Sequence, residues 1–219
     1  TKKLYPGPVM ILLLSSAVAW VEKESAECFG EAVERKVDAR IKLANLNFLE
    51  VVRALPEYSV SDSIGVYGVV GGVPGYISRW DAKTDLKSNI LRLMLSRDGY
   101  LSDAAEQLIG SQLRELSVYE TILSHIASGC DKLNDLYLTT GFSRAKISVY
   151  MKNLAAFDII QKVVSFETGG WENTQKGIYR IRDNFVNFWF HFIYPNLSDY
   201  YQMSPEQFYD VYIENGLQS

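Results

Sequence analysis

Two glycines divide residues 117–157 into three helical stretches, and this division constrains the fold more than any other feature of the sequence. Within 117–128, Val118, Ile122 and Ile126 repeat at i, i+4 and i+8 with Leu123 beside them, the single apolar stripe of an amphipathic helix. Gly129 ends that helix, since a residue without Cβ reaches left-handed backbone angles at little cost. A short second helix is predicted over 133–140, with Leu133, Leu136 and Tyr137 facing inward. Gly141 supplies the turn, and Ser143 is the N-cap of a third helix running to Phe157. Ile147, Tyr150, Met151 and Leu154 form its buried face; Arg144, Lys146, Ser148 and Lys152 are left mainly toward solvent. Residues 159–164 and 177–181 then read as two strands, with Thr168 to Asn173 as the tip between them. Three helices followed by a hairpin is the order of a winged helix. In such a domain the third helix meets a duplex, so Ser143, Arg144, Lys146, Ser148 and Lys152, with Lys176 in the wing, are the candidate DNA contacts.

Composition narrows the function classes. A chain of 219 residues with 47% hydrophobic residues and a net charge of −4 suits a globular protein of one or two domains. Slight acidity argues against a chain whose main business is coating nucleic acid, although a local basic face is compatible with it. Cys28 and Cys130 build neither a disulfide framework nor a zinc knuckle, so a reducing cytoplasm is the expected location. His125 and His191 have no Cys or His at ligand spacing and read as helix-packing residues; no metal site is expected.

At the amino end, Lys2-Lys3, an apolar run and Ala17-Val18-Ala19 have the outline of a secretory signal. Pro6 and Pro8 interrupt the approach, and the run falls short of the roughly 20 residues a bilayer requires, so no membrane partner is expected. Val9 to Leu14 is read instead as a strand buried on both faces of a parallel sheet. Asp38 to Leu43 alternates like a half-buried strand. A helix is predicted over 47–55, stopped by Pro56. Another, capped by Ser61, runs into Gly71-Gly72-Val73-Pro74-Gly75-Tyr76, the sharpest break in the first half. Helices resume at 76–80, 86–95 and 103–116, and the aromatic run from Phe185 to Tyr194 reads as core. The expected class is mainly α with small β. A lone strand cannot make a sheet, so the chain reads as a piece of a longer protein.

Several motifs bring a resemblance. Ile11 to Ser16, Ile41-Lys42-Leu43-Ala44-Asn45-Leu46, Gly71-Gly72-Val73-Pro74-Gly75-Tyr76-Ile77 and Lys176-Gly177-Ile178-Tyr179-Arg180-Ile181-Arg182-Asp183-Asn184-Phe185 occur in order. The last continues through Phe188-Trp189-Phe190 to Tyr194-Pro195-Asn196. This series resembles the archaeal-type ATPases of the signal-transducing (STAND) branch of the AAA+ P-loop NTPases. The resemblance implies four segments: 1–46 as the end of the ATPase core with its sensor strand, 47–112 as a helical lid, 113–184 as a winged helix-turn-helix, and 185–219 as an aromatic linker toward a nuclease-like domain.

It further implies that Ser15 and Ser16 face the γ-phosphate and that Gly72 and Pro74 lie near the adenine of ATP, with Mg held elsewhere in the parent. No G-x-x-x-x-G-K-[ST] phosphate loop and no strand ending in paired acids occurs here. The phosphate-loop domain is therefore an expected partner from the same protein, and this chain alone is expected to be inactive. A Gly-Arg pair usual before the I-x-L segment is missing: Glu31 follows Gly30, with Arg35 and Arg40 later. Two readings follow, a nucleotide-dependent regulatory module whose winged helix engages a protein partner, and a DNA-binding module.

Overall fold

A computed structural model describes residues 9–15, 21, 25–110, 113–164 and 177–217. The chain divides into two units, 1–44 and 45–219. In the first, helices α1 (Ser25–Phe29) and α2 (Glu31–Glu34) are short. The strands expected at residues 9–14 and 38–43 are not formed: Val9 to Leu14 are 59–92% exposed, and Ile41 and Leu43 are more than four-fifths exposed. A strand is held by ladder hydrogen bonds to a neighbour, and no strand among the described residues pairs with either segment.

The second unit opens with α3 (Phe48–Ala54). Asn47 caps it reciprocally: its side chain accepts from the Glu50 amide, and the Glu50 carboxylate accepts from the Asn47 amide. Helix α4 (Val60–Val70) is capped by Ser59, not by the expected Ser61, because Ser59 Oγ reaches the Asp62 amide at 3.1 Å. Helix α5 (Pro74–Ile77) starts on the fixed φ of Pro74 and is shorter than the stretch predicted to run to Trp80. Helix α6 (Leu86–Ile90) widens into a π-turn over Leu91–Leu95. The single helix expected across 103–116 is two elements, α7 (Ala104–Gly110) and the start of α8 (Leu116–Ala127).

Helices α8, α9 (Leu133–Thr140) and α10 (Arg144–Ala156) follow the predicted plan. Gly129 and Gly141 take the positive φ angles anticipated, 97° and 70°. Ser143 Oγ accepts from the Lys146 amide at 3.2 Å. On α9, however, Leu136 is the buried position, whereas Leu133 and Tyr137 are more than a third exposed. Tyr137 instead lies beneath the Arg144 guanidinium, 4.7 Å from its ring centre.

Strands β1 (Ile160–Val163) and β2 (Ile178–Ile181) pair antiparallel, Ile160 opposite Ile181 and Val163 opposite Ile178. The expected wing tip and Lys176 lie outside the described residues. Helix α11 (Asn184–Phe188) widens at Trp189–Ile193 into a second π-turn and passes through a 3₁₀ turn at Tyr194–Asn196. Then come α12 (Leu197–Gln202), α13 (Pro205–Phe208), a third π-turn at Tyr209–Ile213, and α14 (Glu214–Leu217). One apolar core runs through this unit. Val66, Val69 and Ile90 of residues 47–112, Ile122, Leu136 and Leu154 of the three-helix segment, and Phe185, Trp189, Phe190, Phe208 and Ile213 of the carboxyl segment are all buried in it. No helix among the described residues is long and apolar enough to cross a membrane.

Candidate functional site

The Gly71–Tyr76 turn is where the most distinctive sequence motif meets the rest of the molecule. Helix α4 ends at Gly71, whose φ of 60° suits a residue without Cβ and whose amide donates to the Tyr67 carbonyl. Gly72 accepts a 2.8 Å hydrogen bond from the Leu46 amide. A Cβ on Gly72 would fall 1.7 Å from the Leu46 carbonyl oxygen, so two backbones touch here and only glycine fits. Pro74 is exposed in the first turn of α5.

Tyr76 then brings in the second motif. Its ring meets Phe185 edge-on, with centres 5.2 Å apart. Asn184 Nδ2 donates to the Tyr67 carbonyl at 2.8 Å, a second hydrogen bond on an oxygen that already accepts from the Gly71 amide. Asp183 caps α11 by accepting from the Val186 amide at 3.0 Å. Burial raises the pKa of the Asp183 carboxyl, against backbone hydrogen bonds that lower it. Burial, aided by the Asp183 charge, pushes the Tyr76 phenol up to about 12. The two motifs, more than a hundred residues apart, thus form one joint.

Behind the turn lies a polar hub that sequence reasoning missed. Asn89 is fully buried. Its Nδ2 donates to the Asp81 carbonyl at 2.8 Å and Thr84 Oγ1 at 2.9 Å, while its Oδ1 accepts from the Asp81 amide at 2.9 Å and from Arg92 at 2.8 Å. Trp80 Nε1 and Asn89 Nδ2 both donate to the Tyr58 hydroxyl. The one sequence signal was a polar residue on the inward stripe of Leu86, Ile90 and Leu93.

On the three-helix face, Arg144, Ser148 and Lys152 are exposed along one side of α10. Arg144 donates to Asn134 Oδ1 at 3.0 Å, and Lys146 stacks 4.5 Å over the Phe142 ring. Between α10 and the start of α8 lies an open cleft of about 460 Å³ lined by Leu113, Arg114, Glu115 and Tyr119 on one side and Val149, Tyr150, Asn153 and Phe157 on the other. The Tyr150 hydroxyl donates to the Glu115 carboxylate, which, with burial, raises the phenol to about 12.

Ser15 is exposed in the first unit, and Ser16 lies outside the described residues. His125 is half-buried and His191 exposed; each is bonded through Nδ1 to a backbone carbonyl, of Thr121 and of Ala127 respectively. Among the described residues no group of three or more His, Cys, Asp or Glu side chains is arranged to hold a metal ion.

The chain is similar to "Uncharacterized protein MJECL04" of Methanocaldococcus jannaschii, 26% identical over 193 residues. The match takes in 86% of this chain and 42% of that protein, so the chain spans less than half the length of the relative. No family model matches, and no solved structure matches.

Proposed function

We propose that the chain is the lid and winged-helix part of an ATP-dependent regulatory switch. ATP and Mg would be held with a phosphate-loop domain that these residues do not include. Ser15 and Ser16 would face the γ-phosphate, and Gly72 and Pro74 the adenine. The observation that carries the reading is the joint at Gly72, Tyr76, Asn184 and Phe185. It ties the lid turn to α11, and α11 continues directly from β2, so a displacement of the turn by nucleotide reaches the base of the hairpin. The motif series that resembles STAND ATPases supports it, and so does the edge of β2, where the Tyr179 amide donates to the Asp131 carbonyl at 2.7 Å as a third strand of a wing would.

The test is binding of a fluorescent ATP analogue to the full-length protein. Pro74→Ala alters an exposed first-turn residue and is expected to leave the unfolding midpoint nearly unchanged while weakening binding about tenfold, a loss of roughly 1.4 kcal/mol. Unchanged affinity would remove the adenine role and with it the nucleotide reading.

DNA binding is the second reading, favoured by one observation: from Ser143 to Phe157, α10 and its caps carry Arg144, Lys146 and Lys152 and no acid. Across 113–184, nine basic residues face eight acidic ones, which leaves little charge for counterion release.

A further inference from the structure

We infer that the π-turn at Trp189–Ile193 has two registers, π and α, and that passing from one to the other releases His191 from the end of α8. Helix α11 thereby gates the turn between α8 and α9. A nucleotide as the input rests on the switch proposed above; the two registers do not.

Opposing demands meet in this turn. Phe188, Trp189 and Phe190 are consecutive, and each is at most 2% exposed. An α-helix sets successive residues about 100° apart, so three in a row share its buried face only where the turn is widened. Against that, one buried group is left unsatisfied in the π register. The Trp189 indole N–H has no acceptor among the described residues, although the residue is 1% exposed. An unpaired buried donor has given up its hydration for nothing, which favours another register. The π-turns at Leu91–Leu95 and Tyr209–Ile213 hold no such side-chain atom, which singles out the one that follows α11.

Side-chain contacts hold the π register. Asn196 Nδ2 donates to the Phe192 carbonyl at 2.9 Å, and the Tyr200 ring meets Trp189 edge-on, with centres 5.9 Å apart. Tyr200 is itself anchored, its hydroxyl donating to the Met94 carbonyl at 2.8 Å. The turn is also tied to α8: His191, exposed, donates from Nδ1 at 2.7 Å to the carbonyl of Ala127, the last residue of that helix. Ser128 and Gly129 follow at once, and Gly129, at a φ of 97°, turns the chain toward α9. Closing the π-turn to α rotates the residues within and beyond it by up to about 100° and shifts them by about 1.5 Å along the axis. A 2.7 Å hydrogen bond does not survive that displacement, so the registers differ in whether the end of α8 is held. Upstream, α11 starts at the Asn184 and Phe185 contacts, which places this turn between the joint and α8.

The test is ¹⁵N relaxation dispersion and saturation transfer on the whole 219-residue chain without nucleotide, with the Trp189 indole assigned by Trp189→Phe. Expected is exchange with one common rate at Trp189 Nε1, at the Phe190 to Ile193 amides and at Ser128 and Gly129, while Tyr209–Ile213 stays flat. Tyr200→Phe keeps the ring and loses the Met94 bond, so it should raise the minor population about fivefold. His191→Ala, at an exposed position, should keep the exchange at Trp189 and abolish it at Ser128 and Gly129. Flat profiles at Trp189 Nε1, equal exchange in all three π-turns, or exchange at Ser128 and Gly129 unmoved by His191→Ala would overturn the inference. Because nucleotide is absent, such a failure leaves ATP binding to its own titration, and a failed titration leaves the two registers standing.

Discussion

At Gly72 the fold admits hydrogen as the only side chain. The Leu46 carbonyl oxygen and carbon lie 1.7 and 2.6 Å from where a Cβ would stand, and both belong to backbone, which cannot swing aside as a side-chain end can. Gly72→Ala must therefore part the two chains and break the Leu46–Gly72 hydrogen bond, at a cost of about 2–4 kcal/mol. Gly75→Ala, with nothing within 4 Å of the new methyl, should be neutral or slightly stabilising. Urea denaturation of the two variants checks this; equal midpoints would mean the close approach is not as described. Asp183 gives a second residue-scale expectation. Its pKa is raised by burial, so the folded chain holds this proton more tightly than the unfolded chain does. The contribution is stabilising at low pH and is lost as pH climbs from the ordinary carboxylate range through the raised value. Asp183→Asn retains a capping oxygen without the charge. The stability of the variant relative to the wild type should therefore rise across that window and level off above it, read from denaturation midpoints at a series of pH values. A flat difference would mean that the Asp183 charge is not penalised.

Elements were legible where local rules and tertiary packing agree. The helices from 117 to 157 followed from a 3.6-residue stripe, two glycines and one serine, because each of those signals acts within its own turn. Expectation and structure part where a distant partner decides. Val9 to Leu14 has the residues of a buried strand, but a strand exists only if another pairs with it. Leu133 and Tyr137 have inward spacing, but α9 is too short to bury more than the Leu136 position, and the cation of Arg144 draws Tyr137 outward. The π-turns were also invisible to periodicity. In Asn184–Phe188 and Trp189–Ile193, six residues are buried: Phe185, Val186, Phe188, Trp189, Phe190 and Ile193. One α-helical face cannot hold so many, and widening the second turn rotates more of them inward. The candidate site was legible only in halves. Gly72 and Tyr76 stood out as one motif and Asp183 to Phe185 as another, and nothing in a linear pattern places Asn184 against the Tyr67 carbonyl. Asn89 was the hardest to see, since its partners at Tyr58, Asp81 and Thr84 are backbone and side-chain groups on loops that carry no motif.

For the second unit as a whole, the shared core makes a specific demand on how it unfolds. If the Gly71–Tyr76 turn, the three-helix segment and α11 are one cooperative body, the amides of Val69 in α4, Leu123 in α8 and Val186 in α11 should exchange their hydrogens with one common free energy. Removing a single contact at the joint should then lower all three together. Asn184→Ala is suited to this, because it removes the side-chain donor from the Tyr67 carbonyl, which keeps the Gly71 amide, and introduces no clash, at a cost of about 0.5–1.5 kcal/mol. Uniform loss of protection across the three segments is what a mechanical link between turn and hairpin requires. If α3 to α6 lost protection while α8 and α10 kept theirs, α3 to α6 would be a separate folding unit. A nucleotide at the turn would then have no route through this core to the helix-turn-helix, and the regulatory reading would have to give way to one in which the two parts act independently.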